Sequence, residues 1–258
     1  MNNRITALFN KKDKNILSIY FTAGYPQLTD TVKIISQLEK SGADLVEIGM
    51  PFSDPVADGP VIQHSSEIAL KNGMTVHLLF QQLTLIRKSV SIPLILMGYL
   101  NPVMQYGVED FCKKCKEIGI DGTIIPDLPL EVYETEYKDL FERNSLSNIF
   151  LITPQTTDER IRKIDKLSTG FIYMVSSSST TGVKGEVSQE QISYFERVRN
   201  MNLHSKRMIG FGIYDKASFE KASLYASGAI IGSAFVKALE DEQSETEDKV
   251  NNFVQKFY

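Results

Sequence analysis

Pro93–Pro126, PLILMGYLNPVMQYGVEDFCKKCKEIGIDGTIIP, is the stretch that decides the fold. Its two ends, Pro93–Met97 and Gly122–Pro126, are short and almost unbroken apolar runs, bounded by proline, glycine and aspartate as strands are. Between them lies a Lys-rich segment of helical character around FCKKCKEIG. A strand that is apolar on both faces has to be covered on both faces, which is the condition of a parallel sheet packed under helices. The stretch therefore reads as strand, helix, strand.

The same alternation continues in both directions. The strands are expected at Ile16–Thr22, Asp44–Gly49, Asn148–Ile152, Gly170–Val175, Arg207–Gly210 and Gly228–Ile231, which brings the total to eight. Leu28, Val32, Ile35 and Leu38 recur at helical spacing until Ser41-Gly42 ends that helix, and Glu190–Arg199 and Lys216–Tyr225 read the same way. After the second strand come a short helix over Val61–Asn72 and a main one over Thr75–Val90. Eight such units in 258 residues match a (β/α)8 TIM barrel in count and size. An open doubly wound sheet would carry a G-x-G-x-x-G turn after its first strand, and FTAGYPQ has only one glycine there. One barrel domain over residues 1–258, with an extra N-terminal helix and further extra helices, is the expectation. The N-terminal MNNRITALFNKKDK has one apolar patch, Ile5–Phe9, and reads as an amphipathic helix closing the bottom of the fold rather than as a targeting segment. The polar last eighteen residues, from Asp241, read as a fraying tail.

Bulk composition narrows the function classes. The net charge is -4, with 28 basic and 32 acidic residues interspersed, so no basic stripe can follow a nucleic-acid backbone. No run approaches the ~20 apolar residues of a membrane span, and the expected location is the cytoplasm. Cys112 and Cys115 form one CxxC within a helical stretch. A zinc site would need two more ligands, and His64, His77 and His204 stand at no matching spacing. The cysteines read as plain helix residues and no metal is expected.

In a (β/α)8 barrel the chemistry lies at the C-terminal ends of the strands. Leu45–Pro60, LVEIGMPFSDPVADGP, leaves the second strand. Leu45, Glu47 and Gly49 share one face of that strand and Val46 and Ile48 the other, so Glu47 is expected to point into the barrel near its mouth. A carboxyl group in that place is either half of a structural ion pair or a proton-transfer group whose pKa burial has raised. No other strand offers an obvious inward-facing lysine or arginine. Asp58 stands in a loop stiffened by three prolines and a glycine, where two carboxyl groups flanking one pocket can act on different protons. Singly, such an aspartate is an ordinary turn former. Tyr20, on one face with Ser18 and Thr22, and Tyr173, with Phe171 and Val175, line the pocket or fill the barrel.

Three glycine-bearing loops follow the last strands: Ser176–Gly185, Gly210-Phe211-Gly212 and Gly232-Ser233. Backbone N–H groups in such loops and at a helix N-terminus bind phosphate. In consecutive places they point to a phosphorylated substrate, against a reading as common turns.

Together these residues resemble the tryptophan synthase α chain family. LVEIGMPFSDPVADGPVIQ is similar to that family's long catalytic signature, and YFTAGYP, MGYLNPV, PDLPLE, the TG of STTG, GFGI and IIGSAFVK extend the likeness along nearly the whole chain. The resemblance implies retro-aldol cleavage of indole-3-glycerol phosphate to indole and glyceraldehyde 3-phosphate. It makes Glu47 the general acid/base and Asp58 the carboxylate on the indole N–H. It puts Tyr173 beside them, Gly182, Gly212, Gly232 and Ser233 at the phosphate, and Thr181 as the loop threonine orienting the aspartate. It further implies no cofactor in this chain and a pyridoxal-phosphate β chain as partner in an α2β2 assembly, faced by Asp54, Asn101 and Asp127. The loop SSSSTTG departs from the family's usual SR-x-GVTG, with Ser177, Ser179 and Thr180 in place of arginine, glycine and valine. A related phosphate-binding barrel of the same pathway would carry an acid or lysine on its first strand, and ILSIYFTAG has neither. The alternative is a non-catalytic or weakly active partner that activates a β chain.

Overall fold

The computed structural model describes residues 3–175, 188–210, 212–241 and 243–258. Eight parallel strands close into a barrel in sequence order, with the first hydrogen-bonded to both the second and the eighth. They are β1 (Ile16–Thr22), β2 (Leu45–Gly49), β3 (Leu94–Met97), β4 (Gly122–Ile124), β5 (Ser147–Ile152), β6 (Phe171–Val175), β7 (Lys206–Gly210) and β8 (Gly228–Ile231). Each lies where the sequence places it, within two residues at either end.

The helices are α1 (Arg4–Lys11), α2 (Thr31–Ser41), α3 (Pro60–Lys71), α4 (Val76–Leu83), α5 (Leu100–Tyr106), α6 (Val108–Ile118), α7 (Leu130–Val132), α8 (Lys138–Arg143), α9 (Asp158–Leu167), α10 (Gln189–Asn200), α11 (Lys216–Ser223), α12 (Ser233–Ala238) and α13 (Thr246–Val254). A π turn, Tyr133–Tyr137, joins α7 to α8. Strand alternation sorts the apolar residues into two cores. Leu17, Ile19, Phe21, Val46 and Ile48 pack outward under the helices. Ile16, Leu45, Ile95, Ile124, Ile149, Phe171, Met208 and Ile230 fill the barrel.

The amphipathic α1 stops the bottom of the barrel, as expected. Its Ile5 and Phe9 are buried in the inner core, and Phe9 packs on Phe171 with ring centroids 5.9 Å apart. Asn3 caps it, its Oδ1 accepting from Thr6 N–H at 3.2 Å while Nδ2 donates to the Asp121 carbonyl at 3.0 Å. The buried Asp121 carboxylate also receives Arg4 at 3.0 Å and Arg87 at 2.6 Å. Burial of two large apolar side chains, at about 1.5–3 kcal/mol each, holds the plug in place.

Two expectations are corrected. The C-terminal residues do not fray: α13 and the turn after it bury Val250, Phe253, Val254 and Phe257, a set at spacing three or four that packs α13 on α2 and α12. The helix over Thr75–Val90 is broken after Leu83 and resumes only as a turn at Ile86–Lys88. There the Arg87 guanidinium donates to the carbonyls of Gly119 and Ile92, both at 2.6 Å, and these contacts outweigh continued helix. Cys112 and Cys115 lie buried in α6, and burial pushes the Cys112 thiol up to about 12. Among the described residues, no helix is long and apolar enough to cross a membrane.

Candidate active site

The inner face of β1 carries an unusual row for a barrel interior. Ser18, Tyr20 and Thr22 all point inward, because Leu17, Ile19 and Phe21 take the outer face. Parallel pairing sets Tyr20 opposite Glu47 and Thr22 opposite Gly49. Thr22 Oγ1 is 2.7 Å from Ser65 Oγ on α3, which ties the top of β1 to the helix behind the β2 loop.

Glu47 is fully buried, and Ser18 Oγ donates to its Oε1 at 2.9 Å. Its Oε2 is buried and has no hydrogen-bond partner among the described residues. Among the described residues no lysine or arginine lies within ion-pair distance of it, so it is not half of a structural pair. Desolvation pushes its pKa from 4.5 up to about 8, with the Ser18 hydrogen bond acting in the opposite sense. The group is thus held mainly as the neutral acid near pH 7, with a conjugate base available close by.

Asp58 sits half-buried in the loop between β2 and α3. Burial raises its pKa, and the Tyr99 phenol, donating to Oδ2 at 3.0 Å, opposes that. Tyr99 also accepts the Ala57 N–H at 3.0 Å, and its ring lies 5.1 Å from that of Phe52. One side chain from the β3 loop therefore fixes the backbone, the carboxylate and an aromatic wall of the β2 loop. Tyr20, Asp58 and Tyr99 line one narrow cavity together with Met50, Phe52 and Pro126.

Tyr173 completes the group. It is buried, and the negative charges of Glu47 and Asp58, after desolvation, raise its pKa well above the usual phenol value. Tyr20 responds to both carboxylates too. Four predicted side chains, Glu47, Asp58, Tyr20 and Tyr173, thus converge on one mouth. Two glycines make the room. A Cβ on Gly49 would stand 2.3 Å from the Tyr20 hydroxyl, and one on Gly210 would stand 2.1 Å from that of Tyr173. The rings lie across neighbouring strands only because those positions lack side chains.

At the expected phosphate end, Gly212 follows β7 and is exposed, and Gly232 and the exposed Ser233 stand at the start of α12. Gly232 lies against the Tyr20 ring, where a Cβ would meet it at 3.4 Å. Thr181 and Gly182, with Ser177, Ser179 and Thr180, fall outside the described residues. Asp54, Asn101 and Asp127 are all exposed on the loops after β2, β3 and β4, at the same end of the barrel. Asp127 Oδ1 accepts the Leu100 N–H at 2.9 Å, which places it beside Asn101. Among the described residues no group of three or more His, Cys, Asp or Glu side chains is arranged to hold a metal ion.

Sequence reasoning passed over Ser18 and Tyr99. The signal for Ser18 was its shared face with Tyr20 and Thr22, three polar side chains in a row inside a barrel. Nothing comparable marked Tyr99 within MGYLNPV.

The comparisons with known proteins agree with this geometry. The family model of the tryptophan synthase alpha chain matches residues 6–257. A tryptophan synthase alpha chain of Flavobacterium johnsoniae is 62% identical over 252 residues, covering 98% of both chains. That of Phocaeicola vulgatus is 56% identical, again covering 98% of both. Among solved structures, the Legionella pneumophila tryptophan synthase alpha chain superposes with a TM-score of 0.88 at 32% identity, covering 100% of this chain and 96% of that one. A mutant alpha-subunit from Pyrococcus furiosus gives 0.87 at 32%, covering 95% and 98%. A match over nearly all the residues, on a barrel that gathers the expected carboxylates at its mouth, establishes that the chain belongs to the tryptophan synthase alpha chain family.

Proposed function

We propose that Glu47 and Asp58 divide between them the proton transfers of a retro-aldol cleavage of indole-3-glycerol phosphate. Chains of this family are lyase subunits of tryptophan biosynthesis that release indole from that substrate, and this chain has that role. The observation that carries the residue assignment is the state of Glu47: buried and, among the described residues, without a cation, held at one oxygen and open at the other.

The chemistry follows from the arrangement. The carbon–carbon bond to the glycerol chain breaks only if the indole ring is first protonated at the carbon that carries it, and the ring then holds positive charge. Glu47, neutral below about pH 8, supplies that proton. The Asp58 carboxylate, held by Tyr99, accepts the indole N–H and stabilises the cationic ring. Once deprotonated, Glu47 takes the proton of the adjacent glycerol hydroxyl as its carbonyl forms and the bond to indole breaks. Its proton is restored, and neither an electron nor a proton is left over. Tyr20 and Tyr173 wall the indole. Gly212, Gly232 and Ser233, with Thr181 and Gly182, are assigned to the phosphate.

Chains of this family carry no cofactor of their own and pair with a β chain. We assign the exposed Asp54, Asn101 and Asp127 to that contact, in an α2β2 assembly whose β chains hold pyridoxal phosphate. The test is indole release from indole-3-glycerol phosphate by the purified chain. Slow release alone, strong acceleration by the β chain and loss of both on Glu47→Gln are expected. An active Glu47→Gln protein would overturn the assignment. A chain that accelerates its partner but never releases indole would favour the non-catalytic reading.

A further inference from the structure

We propose that Ser18 is the positioning residue of Glu47, assigning one carboxyl oxygen to the protein and leaving the other to carry the proton that moves. The inference rests on the reading of Glu47 as the general acid and deepens it.

Ser18 is fully buried on the inner face of β1, and Oγ lies 2.9 Å from Glu47 Oε1. It donates there, and no other hydrogen bond of the Ser18 hydroxyl is found among the described residues. Among the described residues Oε2 has no partner, and it too is buried. In a neutral carboxylic acid the carbonyl oxygen is the better acceptor, and the hydroxyl oxygen carries the proton. A donor fixed on Oε1 therefore makes Oε1 the carbonyl and Oε2 the acidic O–H. The same bond persists when Glu47 ionises and is stronger then, because its acceptor is charged. Oε2 both gives the first proton and receives the second, while Oε1 stays anchored, so the carboxyl group need not rotate between the two transfers.

The neighbours leave this task to Ser18. Among the described residues the titratable groups facing Glu47 are Tyr20 from β1, Asp58 from the β2 loop and Tyr173 from β6. Each is a phenol or a like charge, and none is hydrogen-bonded to Glu47 among the described contacts. From β3, Ile95 stands opposite it. The hydrogen bond from Ser18 is also the one influence that draws the Glu47 pKa down towards the working range.

The experiment uses the full chain with its β partner. Ser18→Ala, Ser18→Cys, Ser18→Thr and Glu47→Gln are assayed for indole release across pH 6–10. In parallel, the protonated carboxyl band of Glu47 is titrated by infrared difference spectroscopy on the full chain, identified by its loss in Glu47→Gln. Ser18→Ala is expected to lower kcat about tenfold with little change in KM, the size of one hydrogen bond to a charged group. It should also move the alkaline limb, and the infrared midpoint, upward by about one pH unit. Ser18→Cys, similar in size but a weak donor, should behave like alanine, and Ser18→Thr should recover activity and midpoint. An unmoved midpoint in both Ser18→Ala and Ser18→Cys, or an unmoved kcat in either, overturns the proposal. Activity retained in Glu47→Gln would instead overturn the acid assignment, so the two failures are distinct. If alanine unfolds the chain, the cysteine variant alone decides the matter on the same two readouts.

Discussion

The Tyr99 phenol donates to Asp58 Oδ2 at 3.0 Å while accepting the Ala57 N–H at 3.0 Å, so one hydroxyl from the β3 loop sets both the Asp58 carboxylate and its backbone. Tyr99→Phe keeps the ring contact with Phe52 and removes only that hydroxyl. Asp58 then loses the bond that opposes its raised pKa, so its carboxylate form becomes harder to hold. A hydrogen bond to a charged group contributes about 1.5–3 kcal/mol, and the half-exposed setting of Asp58 argues for the low end. Steady-state kinetics should show kcat/KM lower by about tenfold, with an acid limb displaced to higher pH. A profile superimposable on that of the parent chain would count against Tyr99 having this part.

The raised pKa of Glu47 ties stability to pH. The folded chain holds this proton more tightly than the unfolded chain, whose glutamate titrates near 4.5. Between 4.5 and about 8 the folded state binds more protons, so stability is highest at the acid end of that window and falls as pH rises through it. Glu47→Gln removes the slope. At pH 9 the variant should be more stable than the parent by a few kcal/mol, since raising a pKa by one costs the charged form roughly 1.4 kcal/mol, and nearly equal to it at pH 5. Urea unfolding at several pH values measures this directly. The enzymatic counterpart is a decline in kcat/KM above about pH 8 in the parent chain.

Gly210 and Gly232 separate packing from ligand contact. A methyl group at Gly210 would stand 2.1 Å from the Tyr173 hydroxyl and 2.3 Å from its ring, so a buried ring has to shift. Gly210→Ala should cost about 1–3 kcal/mol of stability and impair turnover. A methyl group at Gly232 meets nothing closer than the Tyr20 ring at 3.4 Å, an ordinary contact. Gly232→Ala should therefore leave the melting temperature within a few degrees. It should raise KM for the phosphorylated substrate if the backbone there receives the phosphate. An unchanged KM would remove Gly232 from that site.

The barrel was legible because strands buried on both faces write themselves as apolar runs, and Leu45–Gly49 placed Glu47 by alternation alone. Contacts between elements distant in sequence were not. Asp44 reads as the start of β2, yet its carboxylate leaves the ladder to accept the Leu17 N–H at 2.8 Å and Lys12 at 2.6 Å. The tail from Asp241 looks too polar to order, because four buried residues spaced along one helix face are diluted by charge. Ser18, placed on the inner face but given no role, and Tyr99 share one reason: their importance lies in the partner each one reaches, and neither partner is a neighbour in sequence.

The loops after β2, β3 and β4, which we assign to the β-chain contact, lie at the same end of the barrel as the site. Val56 is 83% exposed and Met104 56%, two large apolar side chains on the segments after β2 and β3. Val56 lies between Asp54 and Asp58, and Met104 on α5 near Asn101. The proposed surface therefore joins directly to the loop that carries Asp58. Asp127, through its bond to the Leu100 N–H, holds the start of α5 in place. Val56→Asp and Asp127→Ala should each weaken binding of the β chain by at least tenfold, read by calorimetry. Leu224, 69% exposed at the end of α11 and so at the opposite end of the barrel, is the control. Leu224→Asp should leave that affinity unchanged. If it weakened binding as much as Val56→Asp while the melting temperature held, the β chain would contact the other end of the barrel, and the assignment of Asp54, Asn101 and Asp127 would fall.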